Sequence, residues 1–179
     1  MAADSADRVR GRWRLLQGDR DRRQGDLVRA ADAFVARLRL PRAATWSNLQ
    51  QAVEAIYGKP ILLIASASPA LQAVTGLWVD TAGFGAVVCR EGDEPHYQAQ
   101  NAFHELAHVL FVTAPDDWFS PELPRPSAGQ DGGPSQLCAY TARDTIGRSR
   151  SEVAVEEVAF AMARAVQTIN RSTEETYFG

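Results

Sequence analysis

The sequence predicts an α+β domain, rich in helix, with a small antiparallel-type sheet packed against one central helix. Three observations lead there. The run from Ala102 to Val112 is apolar except for His104, Glu105 and His108, and it holds no helix breaker. Just upstream, Gly76 to Asp80 and Phe84 to Arg90 are two β-rich runs separated by Thr-Ala-Gly, the signature of a hairpin. Downstream, Val155, Val158, Ala159, Met162, Val166 and Ile169 form one stripe of a helix running from Ser151 to about Asn170.

Taken in order, residues 1 to 26 mix seven arginines with five aspartates and few apolar residues beyond Trp13, Leu15 and Leu16. Such a segment is a solvated helix or a loose arm, so the chain divides into a charged arm, 1–25, and one domain, 26–179. From Asp26 to Leu40 the positions Leu27, Ala30, Ala31, Phe34, Leu38 and Leu40 are helix-spaced, and Pro41 stops the run. Thr45 or Ser47 caps a second helix through Tyr57, with Leu49, Val53 and Ile56 inward and Gly58 at its end. Ile61 to Ile64 is a short apolar strand, and Ala65 to Thr75 is a connection to the hairpin. Glu91 to Pro95 forms a polar turn before the central helix, expected from about His96 to Thr113. Pro115 to Pro134 holds five prolines and three glycines, which excludes regular structure and leaves a loop placed to overhang a cleft. A short helix is expected around Gln136 to Ile146.

Composition narrows the function classes. With 179 residues and 45% hydrophobic content, the chain can bury one core. A net charge of −3 argues against a dedicated nucleic-acid binder. Cys89 and Cys138 are too few for a disulfide framework or a cysteine-based zinc site, and Cys89 reads as a core thiol. The opening residues do not form a signal peptide and no apolar run reaches membrane-spanning length, so the expectation is a cytoplasmic protein without membrane contact.

The chemistry concentrates in His104-Glu105-Leu106-Ala107-His108. On a helix, residues four apart sit one above the other, so His104 and His108 can offer two nitrogens to one metal ion. Glu105, turned by about 100° from His104, can reach a water on that metal without being a ligand. Zinc hydrolysis needs these parts: two neutral nitrogens, a Lewis acid and a base. The competing explanation is a buried helix whose histidines only hydrogen-bond. Against it, three ionisable side chains within five residues of an apolar face are costly unless they share a partner.

Catalytic zinc takes a third protein ligand. No histidine follows His108, and His96 flanks the same helix only eight residues before His104. Carboxylates remain: Glu152, Glu156 and Glu157. Helical spacing puts Glu157 opposite the apolar stripe, beside Arg164, where a solvated glutamate belongs. Glu152 and Glu156 flank the stripe one turn apart. Glu156 is the first candidate and Glu152 the second, because a first-turn carboxylate such as Glu152 is already favoured by the helix dipole. Tyr140 and Arg143 are either oxyanion partners or helix-surface residues, and Asp116 and Asp117 read as solvated.

The order Gly-Leu-Trp-Val, His-Glu-Leu-Ala-His-Val-Leu and Glu-x-x-x-Phe-Ala resembles the ImmA/IrrE metallopeptidases, over roughly residues 26 to 170. More closely it resembles actinobacterial members described as regulator or toxin components. Two features depart from that family: Glu157 and Val158 follow Glu156, and the interval between the motifs is long. The resemblance implies a zincin-like fold, Zn2+ as cofactor, His104 and His108 as ligands, and Glu105 as general base. The family's ligand glutamate falls on Glu156. It further implies hydrolysis of peptide bonds in a regulatory protein such as a helix-turn-helix transcriptional regulator. The alternative is a non-catalytic metal-binding regulator or toxin–antitoxin component that acts by protein–protein binding.

Overall fold

A computed structural model describes residues 22–69, 71, 74, 76–125 and 150–167. The first helix, α1, occupies 22–36 of these and so starts before Asp26. Its end tightens through the bonds from the N–H of Arg37, Leu38 and Arg39 to the carbonyls of Phe34, Val35 and Ala36. Arg39 then turns to a φ of 53°, and Pro41 bars further helix. Ala31, Phe34, Val35 and Leu38 are the buried face.

Helix α2 spans Trp46–Tyr57 with Thr45 as N-cap. Thr45 Oγ1 accepts the Asn48 N–H at 3.3 Å, and Asn48 Oδ1 accepts the Thr45 N–H at 3.0 Å, a reciprocal pair. Gly58, at φ 79°, closes the helix. Thr45→Ala is expected to cost about 1 kcal/mol, read as a lower urea midpoint at unchanged slope.

Three strands follow: β1, Ile61–Ser66; β2, Gly76–Asp80; and β3, Gly85–Arg90. Their spatial order is β1-β3-β2. The hairpin is present as an antiparallel β2–β3 pair with Trp78 opposite Val87. The sheet is nevertheless mixed rather than antiparallel, because β3 lies between the other two strands and runs parallel to β1, with Leu63 opposite Val87. The hairpin reverses the chain once, so its second strand meets β1 in the same direction. Lys59 Nζ bonds Asp80 Oδ1 at 2.5 Å and the Thr81 carbonyl at 2.6 Å, and Tyr57 donates to the same carboxylate. These contacts pin the end of α2 to the hairpin. Ile61, Trp78, Val87 and Cys89 face inward, while Leu62, Ile64 and Val79 are exposed on the other face.

Helix α3, Pro95–Thr113, packs on the inner face, and α4, Arg150–Gln167, packs on α3. Val155, Val158, Ala159, Met162 and Val166 are buried, as the stripe requires; Ile169 lies outside the described residues. Glu157 does not belong to solvent. It is buried, accepts from Gln24 of α1 at 3.3 Å and lies 3.5 Å from Arg164, which also bonds Asp32 at 2.7 Å. The reason is that α1 covers this side of α4.

The proline-rich stretch opens in ordered form. A single 3-10 turn, Asp116–Trp118, brings Trp118 and Phe119 to within 5.4 and 5.3 Å of the Phe34 ring. Asp116 and Asp117 are exposed and paired with Arg125 and Arg37 respectively. Residues 126–149, and with them Tyr140, Arg143, Cys138 and the expected Gln136–Ile146 helix, lie outside the described residues. Among the described residues no helix is long and apolar enough to cross a membrane.

Candidate metal centre

Helix α3 is a buried element with one accessible sector. At about 100° per residue, Tyr97, Gln100, Asn101, His104, His108 and Val112 share a sector of about 120°. Every other position between 97 and 112 is buried. Both histidines therefore look out along the same line, and their Nε2 atoms stand 3.1 Å apart.

Glu152, in the first turn of α4, completes the group. One carboxylate oxygen lies 3.6 Å from His104 Nε2 and the other 3.7 Å from His108 Nε2. His104, His108 and Glu152 could hold a metal ion, and no other set of three or more His, Cys, Asp or Glu among the described residues could. Glu156, expected as the third ligand, is not part of this group. It sits one turn on, about 6 Å further along the axis, and its charge is felt at His104. His96 is exposed in the first turn of α3, its ring tilted against that of Tyr97 at 4.1 Å between centroids, and it is not part of this group.

Electrostatics reflect this crowding. Burial pushes the His104 imidazole down, but the carboxylates of Glu152, Glu105 and Glu156 outweigh it, and its pKa is raised overall.

Glu105 turns away from the accessible sector towards β2 and is 1% exposed. Burial pushes its carboxyl up to about 7; His104 and the Trp78 N–H pull it down, while the Glu152 charge adds to the rise. Its Oε2 is buried without a hydrogen-bond partner, a costly state for a group with no task. Gly76 makes the approach possible, since a Cβ there would stand 2.9 Å from Glu105 Oε1 and 3.1 Å from its Cγ. Gly76→Ala is expected to force Glu105 aside at a cost of about 1–3 kcal/mol, measured by urea unfolding, with the three metal-binding side chains left in place.

Sequence patterning singled out His104, Glu105 and His108; the structure brings the two histidines together and buries Glu105 beside them. It passed over Gly76 as a positioning residue. The signal was a glycine opening a strand whose other residues favour β-structure. No family model matches the chain, and no curated protein or solved structure is significantly similar to it.

Proposed function

We propose that the chain is a zinc-dependent peptidase. The observation that carries this reading is the His104–His108–Glu152 group with a buried, half-satisfied Glu105 directly behind it. Ligands about 2.0–2.1 Å from a tetrahedral zinc ion lie roughly 3.3 Å from one another. The spacings of 3.1, 3.6 and 3.7 Å bracket that value. Two imidazoles and one carboxylate are also a donor set that leaves a position open for catalysis.

His104, His108 and Glu152 would hold the ion. When bound, zinc supplies a Lewis acid that polarises the scissile carbonyl and makes water a better nucleophile at neutral pH. Glu105 takes the proton from the attacking water and passes it to the departing amine nitrogen. The Trp78 N–H holds one end of the carboxylate while the other stays unbonded. The antiparallel register and the Thr81–Phe84 bond direct Leu77 and Val79 towards β3, so the backbone groups of Gly76 and Asp80 and the Trp78 carbonyl lie at the outer edge of β2, where Glu105 already holds the Trp78 N–H. An extended peptide would add to that edge, beside Glu105.

The substrate is then a protein or peptide, with a helix-turn-helix regulator as the candidate that the family resemblance supplies. The test is cleavage of a quenched fluorescent peptide mixture by zinc-loaded protein, with and without chelator. Cleavage abolished by chelation and restored by zinc is expected. A zinc-loaded protein inert towards the mixture and towards a helix-turn-helix regulator would overturn the reading.

A further inference from the structure

The accessible sector of α3 does more than present two ligands. Its ends are Tyr97, 59% exposed, and Val112, 52% exposed, on a helix whose other faces pack against the sheet, α2 and α4. Between them lie only Gln100, Asn101 and the two histidines, so the stripe carries no acidic or basic side chain apart from the histidines. Any chain that reaches His104 and His108 along α3 must pass over it.

We infer that this stripe is the floor of the substrate cleft and that Tyr97 and Val112 select apolar side chains on opposite sides of the reacting bond. The inference rests on the peptidase reading for its reaction, but not for the binding itself. Helix rise places Tyr97 about 13 Å and Val112 about 9 Å from the midpoint between the histidines. An extended peptide advances about 3.3 Å per residue, so Tyr97 meets a side chain roughly four residues from that midpoint and Val112 one roughly three residues away. An exposed tyrosine ring offers a large, rigid apolar contact with a polar tip, and a valine offers a small dry one. An acidic substrate side chain at either place would lose water and gain no partner from the stripe.

The test uses the full chain carrying Glu105→Gln, loaded with zinc, and fluorescein-labelled dodecapeptides of Ala, Ser and Gly. Each carries Phe and Leu at the two flanking positions, in either order, or Asp at both. Anisotropy is expected to show the apolar peptides binding at least about tenfold more tightly, since each buried apolar side chain leaves water for a dry contact. Tyr97→Ala and Val112→Ser should each reduce that preference without changing zinc content, and Tyr97→Phe should restore it. Equal binding of apolar and acidic peptides, or a preference indifferent to both substitutions, would overturn the inference. Wild-type protein separates the two ideas. Tyr97-dependent binding without cleavage sinks the peptidase reading alone, whereas cleavage with no effect of Tyr97 or Val112 on KM sinks this inference alone.

Discussion

Replacing Glu152 with alanine is expected to abolish tight zinc binding, while Glu156→Ala retains it. Glu152 faces both imidazoles, one oxygen to each, at 3.6 and 3.7 Å. Removing it leaves two nitrogens, too few to hold the ion against competing water. Glu156 lies outside the three-residue group and its charge is felt at His104, so its loss should weaken binding modestly at most. Stability follows the metal. A ligand present at about 1,000 times its dissociation constant stabilises the folded state by about 4 kcal/mol. For a domain of this size each kcal/mol moves Tm by about 2–4 °C, so zinc should raise the wild-type Tm by roughly 8–16 °C. The ion would join α3 to α4, two helices separated in the chain by residues 114–149, which is why its effect should be felt by the whole fold. Metal content by mass spectrometry and a thermal scan with and without zinc check both statements. Loss of zinc in Glu156→Ala with retention in Glu152→Ala would reverse the assignment.

The choice between those two glutamates shows where sequence patterning stops. Helical spacing puts Glu152 and Glu156 about 40° apart on the same flank, so either could point at the histidines. What decides is how far α4 has slid along α3, and that is set by the side-chain packing between the two helices. No periodicity within one helix contains it. Glu157 was missed for a related reason: it stands opposite one apolar stripe, but α1 supplies a second packing surface there through Gln24, in a segment whose charge pattern resembles a solvated arm. The parallel β1–β3 pair likewise depends on strand order, which the alternation of apolar residues does not encode. By contrast, the helix bounded by Thr45 and Gly58, the hairpin and the central helix were all legible, because each is specified by caps, turns or spacing within its own residues. The same holds for His104, Glu105 and His108, whose relation is fixed by one turn of helix.

Glu105→Gln is expected to keep the metal and lose hydrolysis, by a factor of about 10²–10⁴. Glutamine matches the glutamate in size, so the packing against Gly76 survives, and its amide oxygen can accept the Trp78 N–H. What it cannot do is take a proton from water. The same substitution should stabilise the metal-free protein at alkaline pH. Burial pushes the folded-state pKa of Glu105 up to about 7, from an ordinary value of 4.5. A raised carboxylate pKa means that the folded state binds the proton more tightly, so wild-type stability falls as pH rises from the unfolded value through the folded one. The full penalty, reached above about pH 7, is on the order of 3 kcal/mol. Glutamine never ionises and escapes it. Urea unfolding of both metal-free proteins at pH 4 and pH 8 should therefore show little difference at the lower pH and a more stable variant at the higher one. Zinc-loaded Glu105→Gln that still cleaves peptides would remove Glu105 from the chemistry, and a variant that cannot hold zinc would make it a ligand instead of a base.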